Sequence, residues 1–195
     1  MKAIVVTDPK QDTTGMILTD RPMPTPSLND VIVQVCASGF TKDELTWGPT
    51  WVDRTGKDRT PTIPGHELAG IVVGLGYGTT GFSIGQRVVG LTDWTRNGSL
   101  AEYIAIEARN LAPLPADVGF VEGAALVMSG LTAWQGLFVH GNLQAGQTVL
   151  IHGSAGVVGS MVVQLARAAG AYVIGTGRTD DRQLALDFGV HQFVD

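Results

Sequence analysis

Short apolar runs that contain β-branched residues dominate the first half of the chain. The runs cover residues 3–7, 31–37, 68–73, 87–91 and 102–105. Gly, Pro, Asn and Asp separate them, which is typical of strands in a small all-β domain. Pro22, Pro24 and Pro26 predict an extended connection or sheet edge, since each proline fixes φ and lacks an N–H donor. We therefore expect a small barrel-like domain first.

The hydrophobic pattern changes to helical spacing after residue 117. Segments 119–127 and 130–140 are rich in alanine and leucine, and a loop follows them. From there, strand-like runs alternate with helical patterns up to the last run at 190–195. This alternation predicts a parallel sheet with packed helices. We place the domain boundary near residue 120, which gives domains 1–120 and 121–195.

The most informative stretch joins the apolar run 149–151 to the helical pattern 161–170. Gly153, Gly156 and Gly159 stand three apart in this join. A tight turn, a close approach of backbone to pyrophosphate and a close helix–sheet contact would each exclude a side chain there. The helix would point its free N–H groups at the phosphates. We predict a dinucleotide site, with an ordinary strand-to-helix turn as the alternative.

The end of the next strand-like run, 171–176, would select the form of the cofactor. A carboxylate there accepts hydrogen bonds from a free ribose 2′-hydroxyl, whereas an arginine pairs with a 2′-phosphate. Gly177 and Arg178 follow that run, which favours NADP(H). Asp180 and Asp181 come shortly afterwards, and either one as the ribose carboxylate would favour NAD(H) instead.

Composition narrows the classes of partner. The chain has 195 residues, of which 44% are hydrophobic and 16% charged, and its formal charge is −5 at pH 7. The 13 basic residues form no run, which argues against nucleic acid as a main partner. The single cysteine, Cys36, favours a reducing cytoplasm. We expect no signal peptide and no membrane span, and a small molecule as the substrate.

Five segments, taken in order, resemble the medium-chain dehydrogenase/reductase superfamily, which contains zinc alcohol dehydrogenases and zinc-free quinone oxidoreductases. They are the runs 63–70, 85–90, 97–103 and 129–134 and the glycine turn. The resemblance covers nearly the whole chain. It implies an α/β plus β protein, with a GroES-like β-barrel domain followed by a partial Rossmann doubly wound parallel sheet.

The resemblance also implies that the chain stops within the Rossmann domain, because members of the superfamily continue through a second half of the sheet. A half sheet would expose strand edges and an apolar face. We therefore expect aggregation, association with another copy of the chain as a homo-oligomer, or a chain that is part of a longer protein.

The zinc members of the superfamily hold their catalytic metal with a Cys, a His and a second Cys or acidic residue. By resemblance, Thr41 and Met128 stand where the two cysteines would be, and His66 remains with Glu67 beside it. One imidazole and one carboxylate are too few for a catalytic zinc. We expect no zinc, with His66 and Glu67 as metal ligands only if zinc proves present. His66 would otherwise bond a loop carbonyl, and Cys36 would be a small core side chain.

Without a metal, hydrogen-bond donors must stabilise the acceptor oxygen, and water or a side chain must supply the proton. The catalytic candidates are Thr41, Lys42 and Tyr103, although a solvated lysine and a packed tyrosine are plainer roles for the last two. By resemblance, Thr132 places a hydroxyl near the nicotinamide. The expected cofactor contacts are Thr132, Gly153, Ser154, Ala155, Gly156, Val157, Val158, Gly159, Gly177 and Arg178.

These patterns together predict an NADP(H)-dependent, zinc-independent reductase that passes hydride to a quinone, a carbonyl or an activated alkene. Two alternatives stay open. One is a non-catalytic dinucleotide-binding or oligomerising fragment, and the other is a zinc-dependent alcohol dehydrogenase.

Overall fold

A computed structural model describes residues 1–195, apart from the side chain of Lys42. The chain divides into two compact units, residues 1–127 and 128–195. The division falls within a long helix that begins at Phe120, close to the boundary expected near residue 120. Among the described residues, no helix is long and apolar enough to cross a membrane.

The first unit is built mainly of antiparallel strands. Strands β1 (Lys2–Val5) and β2 (Ile17–Asp20) pair with each other. The main sheet contains β3 (Asp30–Gly39), β4 (Glu67–Leu75), β5 (Arg87–Leu91), β6 (Tyr103–Glu107) and β7 (Leu111–Pro113), in the order β6-β3-β4-β5-β7. This architecture confirms the expected β-rich first part of the chain.

Alternate residues of the central strands form the core of the main sheet. Val31 and Val33 of β3, Leu68 and Val72 of β4 and Val88 of β5 are completely buried. Alternation places their side chains on one face of the sheet. Burial of each such side chain contributes about 1.5–3 kcal/mol, so this apolar layer is what holds the loops of the first unit in place.

A compact connection links β3 to β4. It contains a 3-10 turn at Lys42–Thr46 and α1 (Gly48–Trp51), a single helical turn. The chain returns to β4 through Gly65, whose φ of +92° is a left-handed conformation that favours glycine. This connection therefore brings Thr41 and its neighbours close to the first residue before β4, which is His66.

The second unit is a parallel α/β layer. The helix α2 (Phe120–Trp134) leads into a π-helical segment, Gln135–His140, and then the alternating elements begin. They are β8 (Thr148–His152), α3 (Val157–Ala168), β9 (Tyr172–Thr176), α4 (Arg182–Phe188) and β10 (Gln192–Val194). The strands are parallel, in the order β10-β9-β8. This partial Rossmann-like sheet confirms the second half of the predicted fold class.

One face of the three-stranded sheet is covered and the other is open. Val163 of α3 packs with Ile151, Val173 and Phe193 in the core of the second unit. On the opposite face, Leu150 is 55% exposed, and Tyr172 and Val194 of the neighbouring strands are also exposed. The apolar pattern of these strands is that of a sheet covered on both faces, as parallel sheets usually are.

Candidate functional site

The glycine turn connects β8 to the start of α3. Gly153 has a φ of +67°, which is in the left-handed region. A Cβ atom added at Gly159 would overlap the carbonyl oxygen of Gly153. The first turn of α3 therefore packs directly on the backbone of the turn, and a side chain is excluded there. Gly153 thus supplies the left-handed conformation of the turn, and Gly159 allows the close contact between the helix and the turn.

Ser154 fixes the turn to the neighbouring strand. Its N–H donates to the carbonyl of Thr176 at 2.9 Å, and its hydroxyl donates to the same carbonyl at 3.1 Å. The hydroxyl is buried beside Gly175, where a Cβ would lie 2.5 Å from Ser154 Oγ. Of the predicted cofactor contacts, Ser154 therefore has both its N–H and its hydroxyl bonded within the fold, and it anchors the turn to β9.

The first backbone N–H groups of α3, which follow the glycine turn, can bind an anion. Gly156 precedes the helix, and Val157 and Val158 occupy its first turn with exposed side chains. The first N–H groups of a helix have no partner within it, and its dipole is positive at that end. A phosphate beside these groups would gain hydrogen bonds and a favourable charge interaction. The geometry fits the pyrophosphate of a dinucleotide.

Arg178 lies just beyond the end of β9. Its side chain is 85% exposed, and its Nε donates to Asp181 Oδ2 at 3.2 Å. The two residues that argue for opposite cofactors in the sequence are therefore paired with each other. Exposed ion pairs contribute only about 0–1 kcal/mol, so Arg178 can leave Asp181 for a group that binds it more strongly.

The remaining cofactor candidate of the second unit is Thr132. Its hydroxyl donates to the carbonyl of Met128 at 2.7 Å, one turn earlier in α2, and the residue is exposed. Such a bond satisfies the hydroxyl's hydrogen and leaves its lone pairs accessible.

The first unit contains a group of buried polar and half-buried aromatic side chains, which we call the His66 cluster: Glu44, Trp47, His66, Thr92 and Trp94. His66 is 1% exposed, and its Nδ1 lies 3.1 Å from Thr92 Oγ1. Its Nε2 lies 3.7 Å from Glu44 Oε2 and has no hydrogen-bond partner among the described residues. The expected bond to a loop carbonyl is thus replaced by one to a hydroxyl.

The two tryptophans enclose the imidazole. The ring of Trp47 stacks on His66 with centroids 6.0 Å apart, and the Trp94 ring centroid lies 4.3 Å from it. This apolar enclosure disfavours the charged imidazolium. Burial lowers the pKa of His66 to about 4, with a smaller effect of the Arg59 charge and an opposing effect of Asp93. His66 is neutral at pH 7.

Glu44 connects the cluster to Thr41. Its Oε1 accepts the N–H of Thr41 and its Oε2 accepts the N–H of Gly65, each at 3.1 Å. Burial raises the pKa of Glu44 to about 7; the two backbone donors oppose the rise and the Glu67 carboxylate adds to it. Between about pH 4 and pH 7 the pair Glu44–His66 therefore holds one proton, which is on Glu44.

Our sequence analysis did not select Glu44, although a signal was present. Thr41 and Glu44 have the Thr-x-x-Glu spacing of a capping box, in which the acidic side chain bonds the backbone at the start of a helical turn. Of the catalytic candidates, Thr41 lies beside this cluster and is exposed. The side chain of Lys42 lies outside the described residues. Tyr103 lines a separate pocket together with Arg59 and Arg96.

The donor set does not fit a catalytic zinc. No group of three or more His, Cys, Asp or Glu side chains in the described part of the chain could hold a metal ion. His66 Nε2 lies 3.7 Å from the Glu44 carboxyl, and Thr41 supplies no thiolate. The prediction that Cys36 is a core side chain is wrong, because it is exposed on β3. Its strand is irregular at this point, with a register shift between Val35 and Ala37.

Comparisons with known proteins agree with this fold. Residues 27–116 match the alcohol dehydrogenase GroES-like domain. The quinone oxidoreductase of Rattus norvegicus is 34% identical over 175 residues, which are 89% of this chain and 52% of the relative. The chain belongs to the medium-chain dehydrogenase/reductase superfamily.

Solved structures of the superfamily cover this whole chain. An alcohol dehydrogenase superfamily protein from Novosphingobium aromaticivorans matches with a TM-score of 0.87 and 34% identity, over 100% of this chain and 58% of that one. The quinone oxidoreductase from Coxiella burnetii matches with a TM-score of 0.90 and 27% identity, over 100% and 62%. The chain spans about half the length of the curated relatives it matches.

Proposed function

We propose that this superfamily member is an NADP(H)-dependent oxidoreductase that reduces a quinone, a carbonyl or an activated alkene without a catalytic zinc. The observation that carries the proposal is the glycine turn, with Gly153 in a left-handed conformation and Gly159 packed on its carbonyl. The names of the relatives support the reaction class, since both a curated relative and a solved neighbour are quinone oxidoreductases.

The protein's part in this reaction is to bind and orient. The N–H groups of Val157, Val158 and Gly159 would hold the pyrophosphate, and Ser154 keeps the turn attached to the end of β9. Arg178 would pair with the 2′-phosphate. Reduced NADP supplies a hydride when it is bound, and the acceptor needs one proton besides that hydride.

Thr41 is the proposed donor to the acceptor oxygen. The backbone of Thr41 is held by the Glu44 carboxyl, while the residue itself is exposed. The Thr41 hydroxyl would donate a hydrogen bond to the acceptor oxygen and so stabilise the negative charge that forms on it. Water would supply the proton that the acceptor needs. Glu44 is then a positioning residue, because its carboxyl is buried and acts through Thr41.

Cofactor selection tests the role of Arg178. In a calorimetric titration, Arg178→Ala should weaken NADPH binding by about 1–3 kcal/mol, which is on the order of 5- to 150-fold, because a charge-assisted pair with the 2′-phosphate is lost. NADH binding should change little, since NADH lacks that phosphate.

A suitable control is Arg109→Ala, which removes an exposed arginine of the first unit and should leave both affinities unchanged. Equal losses for NADPH and NADH in Arg178→Ala would remove the discriminating role from Arg178. Tighter binding of NADH than of NADPH by the unaltered chain would assign the ribose contact to Asp180 or Asp181 and overturn the choice of NADP(H).

A further inference from the structure

A second pocket-like site lies entirely within the first unit and has a volume of about 510 Å³, within the range of small-molecule sites. Its walls come from the segment after β2, from residues 59–63, from residues 96–98 and from the start of β6. Three arginines line it, Arg21, Arg59 and Arg96, and none of its lining residues is acidic. This is unusual in a chain whose formal charge is −5.

Arg96 lines this pocket, but nearby carboxylates neutralise its charge. Its two terminal nitrogens donate to the carboxylate of the buried Asp30 at 3.0 and 2.7 Å, and one of them lies 3.3 Å from Glu107. Two-pronged pairing of this kind fixes a guanidinium and offsets its charge. Arg96 therefore shapes the pocket without adding a free cation.

Arg59 has no such counter-charge. Its guanidinium donates to four neutral oxygens, and no described carboxylate lies within ion-pair distance. The acceptors are the carbonyls of Pro49 at 3.0 Å, Thr50 at 3.3 Å and Trp94 at 3.4 Å, and Asn97 Oδ1 at 3.5 Å. Burial lowers the pKa of Arg59, and the charges of Asp93 and Asp53 oppose that change. A half-buried cation that is bonded only to neutral groups is a favourable site for an anion.

Arg21 supplies the second cation. Its backbone is fixed by reciprocal bonds to Met1, each of 2.9 Å, while its side chain makes no ion pair with any described residue. Neutral donors complete the lining. Asn97 Oδ1 accepts from Ile63 N at 3.3 Å, which leaves its amide hydrogens for a ligand, and the Tyr103 hydroxyl bonds to no other described residue.

We propose that this pocket binds a small organic anion, with its carboxylate or phosphate group against Arg21 and Arg59 and its apolar part against Pro22, Pro61 and Ile63. Two guanidinium groups without carboxylate partners match the charge of a phosphate monoester. Asn97 and Tyr103 add neutral hydrogen bonds. This assigns Tyr103 to ligand binding in place of catalysis. The site is separate from the glycine turn and requires no nicotinamide cofactor.

The test is a titration of the ¹⁵N-labelled full chain with phenyl phosphate, benzoate and phenol, followed by the amide resonances of Gly98 and Ala105 in the pocket. Phenyl phosphate or benzoate should shift these resonances saturably, and the tighter of the two defines the anion class. Phenol should not, because it lacks the charge. Shifts confined to residues 153–159, or equal binding of phenol, would overturn the proposal.

Variants separate the pocket from general charge effects. Arg21→Gln should weaken anion binding about tenfold or more, because one charge-assisted pair is lost. Arg59→Lys keeps the charge but loses the planar fork, and should weaken it several-fold. Arg109→Gln removes the same charge outside the pocket and should bind as the unaltered chain does. Unchanged affinity in both Arg21→Gln and Arg59→Lys would also overturn the proposal.

Discussion

At the scale of single residues, Glu44 and His66 show how one environment perturbs two groups in opposite directions. Burial disfavours the charged form of each, which raises the pKa of the carboxyl to about 7 and lowers the pKa of the imidazole to about 4. The unperturbed values are 4.5 and 6.5. Folding therefore moves one proton from the imidazole to the carboxyl in mildly acidic solution.

The linked effects on stability have opposite signs. The raised pKa of Glu44 gives a contribution that is present below pH 4.5 and is lost as pH rises through 7. The lowered pKa of His66 gives a contribution that is present above pH 6.5 and is lost as pH falls through 4. Between these limits both states of the protein hold the same number of protons on the pair, so the two effects offset each other.

Single variants should expose each effect. Relative to the unaltered chain, Glu44→Gln should lose stability as the pH falls from 7 to 5, because the His66 contribution is no longer offset. His66→Gln should lose stability as the pH rises from 5 to 7, because only the Glu44 contribution remains. Each change should be on the order of 1–3 kcal/mol. Urea unfolding followed by the intrinsic tryptophan fluorescence measures both variants. A stability that changes with rising pH in the same direction in the two variants would contradict the account.

At the scale of elements, the turn between β8 and α3 was predictable because glycine spacing reports backbone requirements directly. The pattern predicted the strand, the turn and the helix in order, and the helix runs over Val157–Ala168. The inward rotation of Ser154 was not predictable, since it depends on the space left by Gly175 on a different strand. The contact between Glu44 and His66 was likewise not predictable, because it forms only when the chain folds. The sequence shows only the local capping signal of Thr41 and Glu44.

Two glycines of consecutive helices should respond oppositely to substitution by alanine. Gly159→Ala should lower the free energy of unfolding by about 1–3 kcal/mol and weaken NADPH binding, because its Cβ would overlap the Gly153 carbonyl. In Gly130→Ala of α2 the added Cβ meets no atom within 4 Å, so this substitution should raise the free energy of unfolding by about 0.4–1 kcal/mol. Thermal and urea unfolding measure both variants. A Gly159→Ala protein as stable as the unaltered chain would show that the turn is looser than described.

At the scale of the whole molecule, the main unusual feature is that one face of the three-stranded sheet exposes apolar side chains. Leu150, Tyr172 and Val194 are exposed there, on strands whose other face is a packed core. The fold class followed from the sequence because two local periodicities, of strands and of helices, occupy different parts of the chain. What covers this face depends on contacts that no local pattern encodes.

We expect this face to drive association of the chain in solution. The apparent mass from light scattering should rise with protein concentration, and Leu150→Lys should shift the equilibrium towards the monomer because it introduces a charge on the face. Leu18→Lys is the matched control, since Leu18 is 69% exposed on β2 of the first unit. A concentration-independent monomer, or equal effects of the two variants, would show that the face does not mediate association.

The most direct test of the proposed function is the oxidation of NADPH by a small benzoquinone in the presence of the purified chain, measured as the loss of NADPH absorbance. The account predicts a rate above that of the mixture without protein, saturation with NADPH and a lower rate with NADH. Saturable binding of NADPH without any acceleration would contradict it. The chain would then be a dinucleotide-binding protein that does not transfer hydride on its own.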